Sequence, residues 1–268
     1  MTTPFFESSE TAVMDRFMAD GHVVQPAEDL AALKRIRDRA AALAAAHLGL
    51  PAPEDAGAFL EAIHTRLAVA DLNALRLAVI EGLNAEDWLR PAYHATARRT
   101  LEILVGNELA MQMRVNLSVQ LPEDDSSLLP VHADVWNGDS PFEVVLWIPL
   151  VDCRATKSMF LLPPAANDRW QDRFVEFSDR SSEDLYQAIA PDLRFIDIRF
   201  GEIMVFSQNL MHGNRINRET ETRWSMNCRF KALFTPYADK KLGEFFEPIT
   251  LRPASRLGAS YRLPETRR

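Results

Sequence analysis

Three residues of this 268-residue chain have the types and spacing of a metal site. In the run LLPVHADVW, His132 and Asp134 stand two apart. If residues 129–135 form a strand, both side chains turn to one face, and an imidazole and a carboxylate converge there with Trp136 continuing the face. By itself a His-x-Asp pair is also what a hydrogen-bonded surface couple looks like, and six histidines leave room for one by chance. Further on, residues 201–213 (GEIMVFSQNLMHG) read as a strand turning into a short loop that presents His212. Two imidazoles and one carboxylate form the facial triad of non-haem Fe(II) sites: the carboxylate offsets the metal's charge and three adjacent coordination positions stay open. A lone loop histidine is otherwise a structural residue.

The strand after His212 adds a fourth element. In RWSMNCRFK, Arg223, Ser225, Asn227, Arg229 and Lys231 share one face, while Trp224, Met226, Cys228 and Phe230 share the other. The polar face either meets water or holds an anion, with a guanidinium fork on a carboxylate and the Ser225 hydroxyl completing the clamp. Arg229 is the rival to Arg223 for that role, and with Lys231 is a candidate for an anionic substrate or a rim salt bridge. Asn116, Ser118 and Gln120 form another polar strand face suited to lining the same cavity. Trp136 and Trp147 are candidate pocket walls or core residues. The acidic loop at residues 121–129 (LPEDDSSLL) is a candidate lid.

These residues need a scaffold, and the chain changes character near residue 111 to provide one. Before it, apolar residues recur at helical spacing, in an Ala-rich run at residues 27–48 and in runs at 56–67, 71–82 and 85–104, after a short strand at 21–25. After it the period falls to two. Strands are expected at 113–121, 129–135, 142–150, 158–162, 194–200, 202–206 and 223–234, with a polar, partly helical insertion at 167–190. The pattern is an α+β chain: a double-stranded β-helix, or jelly roll, at 111–235, an N-terminal helical buttress at 1–110, and a C-terminal extension at 236–268, all within one domain.

Composition narrows the partners. The chain carries 30 basic and 38 acidic residues, a net charge of -8, which speaks against a nucleic-acid binder. No apolar stretch is long enough to span a bilayer, and the acidic opening lacks a signal peptide's pattern. Two cysteines, Cys153 and Cys228, are no disulfide framework and suit a reducing cytoplasm. The expected partner is a small molecule, not nucleic acid or membrane.

Taken together, His132-x-Asp134, His212 and Arg223-x-Ser225 resemble the Fe(II)/2-oxoglutarate-dependent oxygenases, specifically their phytanoyl-CoA-dioxygenase-like branch, in which the co-substrate arginine follows the distal histidine by eleven residues. WIPLVDC from Trp147, SMFLLP from Ser158 and the Gly-acidic lead into His212 are similar to that branch too, so the matching motifs cover about residues 131–231. The strings HADVWNGDSPFEVVLWIPLVDC and HGNRINRETETRWSMNCRFK also resemble a bacterial subgroup found among carbohydrate-cluster genes. One departure is Lys157-Ser158, where relatives often carry Asn-Gly, which makes Lys157 a candidate substrate contact. The resemblance implies iron on His132, Asp134 and His212, and 2-oxoglutarate held by Arg223 and Ser225 with Asn116 nearby. Dioxygen would be the oxidant, and Gln120, Trp136, Trp147, Lys157 and Arg229 would lie towards the substrate. It implies oxidation, typically hydroxylation, of a small polar or carbohydrate-type substrate. Two other classes fit the residues alone: a cupin-like metalloenzyme with no need of Arg223, and a non-catalytic jelly-roll module that binds carbohydrate.

Overall fold

A computed structural model describes residues 5–264. Its helices are α1 (Ser8–Asp20), α2 (Leu30–His47), α3 (Ala56–Glu61), α4 (Leu72–Asn84), α5 (Leu89–Ala95), α6 (Arg98–Val105), α7 (Pro164–Asp172), α8 (Ser182–Ile189) and α9 (Pro253–Ser260). Its strands are β1 (His22–Pro26), β2 (Leu109–Gln112), β3 (Asn116–Gln120), β4 (Glu143–Pro149), β5 (Met159–Leu161), β6 (Arg194–Phe195), β7 (Glu202–Ser207), β8 (His212–Asn214), β9 (Arg223–Ala232) and β10 (Phe246–Pro248). Helix and antiparallel sheet are mixed as expected.

The larger sheet runs β1-β7-β4-β9-β2-β10, and β3 lies beside β2 on the same edge of β9. The ten-residue β9 is its spine. One edge pairs with β4 from Glu143↔Lys231 to Pro149↔Ser225. The other pairs first with β3 and then with β2. A smaller sheet, β6-β5-β8, completes the fold.

Helices cover the outer face of the large sheet. Asp29 caps α2 by accepting from the Ala32 N–H at 2.9 Å. The face of α2 that carries Leu33, Ile36, Ala40, Ala41 and Ala44 is wholly buried, and the small alanines let α3, α4 and α5 lie close against it. Two buried hydrogen bonds fasten this layer to the sheet: Tyr93 donates to the Leu146 carbonyl at 2.8 Å, and the Trp224 indole donates to the Leu60 carbonyl at 2.9 Å. Each would cost about 1–3 kcal/mol if its buried acceptor were left unpaired. A second apolar cluster, including Val131, Phe160, Leu162, Phe177, Leu185, Ile189 and Met211, packs α7 and α8 onto the small sheet. The polar insertion at 167–190 thus carries an apolar underside.

Three expected strands are altered. The run at 113–121 is broken before β3, because Asn84 at the end of α4 exchanges two 2.9 Å hydrogen bonds with the Val115 backbone. The expected strand at 129–135 shrinks to a single bridge between His132 and His212, followed by a 3-10 turn at Asp134–Asn137. Only Arg194–Phe195 of 194–200 is a named strand, although Ile198 forms a bridge with Cys153. α1, α9 and β10 are additions that periodicity did not disclose.

Candidate metal centre and anion pocket

Among the described residues, His132, Asp134 and His212 are the group of potential metal ligands, their donor atoms all within 4.8 Å of one another. The backbone sets their spacing. His132 N–H donates to the His212 carbonyl at 3.0 Å, and His212 N–H donates to the His132 carbonyl at 2.8 Å. Each imidazole is then fixed by its own chain: Nδ1 of His132 lies 2.8 Å from the Pro130 carbonyl, and Nδ1 of His212 lies 2.8 Å from the Leu210 carbonyl. A carbonyl can only accept, so each Nδ1 carries a hydrogen, and in the neutral ring Nε2 is the atom left to present a lone pair to a cation. Those Nε2 atoms stand 3.5 Å and 3.8 Å from Asp134 Oδ1. The Phe206 ring, edge-on to His212 at 5.1 Å, holds the second ring in place. This donor set fits a hard-to-borderline divalent cation with open positions to spare.

The electrostatics agree with that use. Burial, aided by the neighbouring His132, pulls the His212 pKa down to about 4, so His212 is neutral near pH 7, the form that can ligate a cation. For His132 burial acts in the same sense, but the Asp134 carboxylate and the Pro130 carbonyl outweigh it and raise the pKa. Burial also opposes the Asp134 charge, yet the bond from His132 and the charge of Arg229 hold this carboxyl well below the usual range.

The three ligands line a cavity of about 240 Å³ between the two sheets. Opposite them are the inward side chains of β9 and β3: Arg223, Ser225, Asn227, Asn116 and Ser118. Arg223 is 3% exposed, and one of its terminal nitrogens donates a 2.7 Å hydrogen bond to Ser118 Oγ. Arg223 Nε and Ser225 Oγ are inaccessible and have no hydrogen-bond partner among the described residues. Among the described residues no carboxylate pairs with Arg223. Burial alone pulls its pKa down to about 10, leaving it a cation at neutral pH. A buried cation beside an unpartnered hydroxyl fits a carboxylate, because burying them without one costs free energy. The residues present therefore fit a metal ion together with an anionic chelator.

The other candidates divide. Trp147 lines the cavity, and so does Asn116, whose amide donates to Asn227 Oδ1 at 3.1 Å. Trp136 does not: the 3-10 turn after Ala133 swings it onto Phe174 at 4.6 Å, away from the face of His132. Gln120 is wholly buried outside the cavity, donating to the Arg215 carbonyl at 2.6 Å. Lys157 is no substrate contact, since its ammonium is fully buried between Glu61 at 2.9 Å and Glu221 at 3.2 Å. Lys231 is also buried, donating to the Pro236 carbonyl at 2.6 Å. Arg229 is neither a rim residue nor a free anion anchor, for it pairs with Asp134 at 2.7 Å. The loop at 121–129 is tied down by Leu129 N–H to Asn214 Oδ1 at 2.5 Å, by Glu123 N–H to the Asn217 carbonyl at 2.8 Å and by Asp124 bonds to Ser126. Leu129 supplies a fixed wall to the cavity. Sequence reasoning missed Asp139 and Gln208, which flank Arg229, and Lys240, which pairs with Asp139; the three come from separate segments and share no motif.

No protein-family model matches the chain, and no curated protein matches it in sequence. Solved structures do match in shape. The non-haem monooxygenase ThoJ, in a nickel complex, superposes with a TM-score of 0.55 at 16% identity, covering 96% of this chain and 89% of that one. AviO1 from Streptomyces viridochromogenes Tue57 gives 0.51 at 17%, over 88% of this chain and all of its own. SnoN, a non-haem alpha-ketoglutarate-dependent epimerase from nogalamycin biosynthesis, gives 0.51 at 15%, over 84% of this chain and 81% of that one. This chain shares their fold. No described helix is long and apolar enough to cross a membrane.

Proposed function

We propose that this protein is an Fe(II)- and 2-oxoglutarate-dependent oxygenase of the double-stranded β-helix type, acting on a small polar or carbohydrate-type molecule. The observation that carries the proposal is the buried pair Arg223 and Ser225, whose Nε and Oγ have no hydrogen-bond partner among the described residues and which face the same cavity as the His132, Asp134 and His212 donors. Neighbours in fold support it: SnoN is an alpha-ketoglutarate-dependent epimerase, and HygX from Streptomyces hygroscopicus, matching with a TM-score of 0.50 at 14% identity, was solved with nickel and 2-oxoglutarate bound.

In this reading His132, Asp134 and His212 hold the iron through Nε2, Oδ1 and Nε2. Arg223 and Ser225 hold the distal carboxylate of the keto acid, and Asn116 and Asn227 offer amides beside it. The iron would supply oxidative decarboxylation of the keto acid to succinate, coupled to removal of a substrate hydrogen. The chain's own part is to keep both imidazoles in the ligating tautomer, to orient the keto acid by its far end, and to exclude water with Val145, Trp147, Met159 and Phe206. Whether the substrate leaves hydroxylated or rearranged depends on its placement, and SnoN shows an epimerase on this fold. The cupin-like alternative leaves the buried Arg223 cation without a purpose, and the carbohydrate-module alternative leaves the converging donors without one.

An anaerobic titration with Fe(II) and then 2-oxoglutarate tests this. The wild type is expected to develop the visible charge-transfer band of a chelated keto acid. Arg223→Ala should weaken 2-oxoglutarate binding by tenfold or more with Fe(II) binding retained, and Asp134→Ala should abolish the band. Iron binding with no band would favour the cupin-like enzyme, and no metal uptake would sink both enzyme readings.

A further inference from the structure

Arg229 uses all three of its guanidinium nitrogens on the protein. One terminal nitrogen lies 2.7 Å from Asp134 Oδ2. The other approaches Gln112 Oε1 at 3.4 Å. Nε donates to Gln208 Oε1 at 3.1 Å and stands 3.1 Å from Asp139 Oδ1, which it faces as a counter-charge while its hydrogen points at Gln208. Gln208 is held in turn by 2.8 Å and 2.9 Å bonds to Glu143 Oε2 and the Ser140 carbonyl. Asp139, whose side chain is fully buried, also takes the ammonium of Lys240. The chain Lys240–Asp139–Arg229–Asp134 therefore alternates in sign from the segment after β9 to the candidate metal centre.

Asp134 shows the effect. Its Oδ2 is turned to Arg229, and only Oδ1 faces His132 and His212, at 3.5 Å and 3.8 Å. We propose that Arg229, braced by Asp139, is a positioning residue that holds Asp134 to a single ligating oxygen, so that three adjacent positions stay open for keto acid and dioxygen. This rests on the oxygenase reading above. Two effects compete. By charge alone, removing a cation beside the site would tighten cation binding. Removing the hydrogen bond frees the carboxylate to turn away from the histidines, and loss of such outer partners typically costs 10–100-fold in metal affinity. The 2.7 Å contact and the bracing on the far side say that aim dominates.

The test is anaerobic titration of the full-length protein with Co(II), whose visible d–d bands report ligand geometry without turnover. Wild type should bind, and Asp134→Ala should not. Arg229→Met is expected to bind about 10–100-fold more weakly with an altered d–d spectrum. Arg229→Lys, which keeps the charge without the fork, should recover part of the affinity, and Asp139→Asn should show a smaller loss in the same direction. Folding is checked by circular dichroism. Binding as tight as wild type, or tighter, with an unchanged spectrum in folded Arg229→Met overturns the proposal. If that variant does not fold, wild-type affinity and spectrum in both Arg229→Lys and Asp139→Asn overturn it instead. Failure of the wild type to bind Co(II), or wild-type binding by Asp134→Ala, would instead overturn the metal-site reading itself.

Discussion

Arg223 and Arg229 point into the same cavity from one face of one strand, yet their surroundings give them opposite work. Arg229 is saturated by Asp134, Gln208 and Gln112, with Asp139 as a counter-charge, whereas Arg223 is buried with a lone hydroxyl. A buried cation with an unpaired Nε is a standing cost to the folded state, about 1–3 kcal/mol for an unsatisfied donor and more for a charge. Arg223→Met should therefore leave the melting temperature of the metal-free protein unchanged or higher. The same substitution should remove the stabilisation that Fe(II) with 2-oxoglutarate confers on the wild type, about 2.7 kcal/mol at a hundredfold excess over Kd. Anaerobic thermal melts with and without the two ligands measure both. A marked drop in the melting temperature of the metal-free variant would show that Arg223 is structural.

β9 carries the site because its alternation is doubly used. Arg223, Ser225, Asn227 and Arg229 line the cavity, while Trp224, Met226, Cys228 and Phe230 are fully buried on the other side, against the core shared with the helices. This was legible in the sequence, since strict period two over nine residues leaves little freedom in which side chains share a face. The segment around His132 was not legible in the same way. Its ligands were recognisable by type, but a single bridge followed by a 3-10 turn has no periodic signature, and so Trp136 was placed on the wrong face. Likewise no local pattern shows that Lys157 meets Glu61 and Glu221, which lie 96 and 64 residues away along the chain. Where β8 meets residues 129–132, Gly213 is required by space: a Cβ there would lie 2.7 Å from the Leu129 carbonyl, 2.9 Å from Phe160 and 3.1 Å from the Pro130 carbonyl. Backbone oxygens cannot swing aside, so Gly213→Ala should cost about 1–3 kcal/mol and weaken Co(II) binding by parting His132 from His212. Gly258→Ala in α9, where nothing lies within 4 Å, is the matched control. Wild-type stability and metal affinity in Gly213→Ala would contradict the close approach.

At the scale of the whole molecule, one apolar core joins α2–α6 to the large sheet without interruption, and both cysteines lie in it. Cys153 is 1% exposed and Cys228 not at all, and burial pushes each thiol up to about 12. Neither accessible nor ionised, they should react with an aromatic disulfide reagent only when the core opens. Both should then become reactive together, at the denaturant concentration where helical ellipticity is lost. Modification of one cysteine well before that midpoint would divide the helical layer from the sheet. The paired backbone bonds between His132 and His212 also order events in time. A ribosome makes the first histidine some eighty residues before the second, and closing a loop of that length costs about 4 kcal/mol, which only the assembled sheets can offset. The emerging chain therefore has no metal trap to fill. On the oxygenase reading, iron would be loaded onto a finished protein, and a chain cut short before β8 would hold none to release into damaging side reactions.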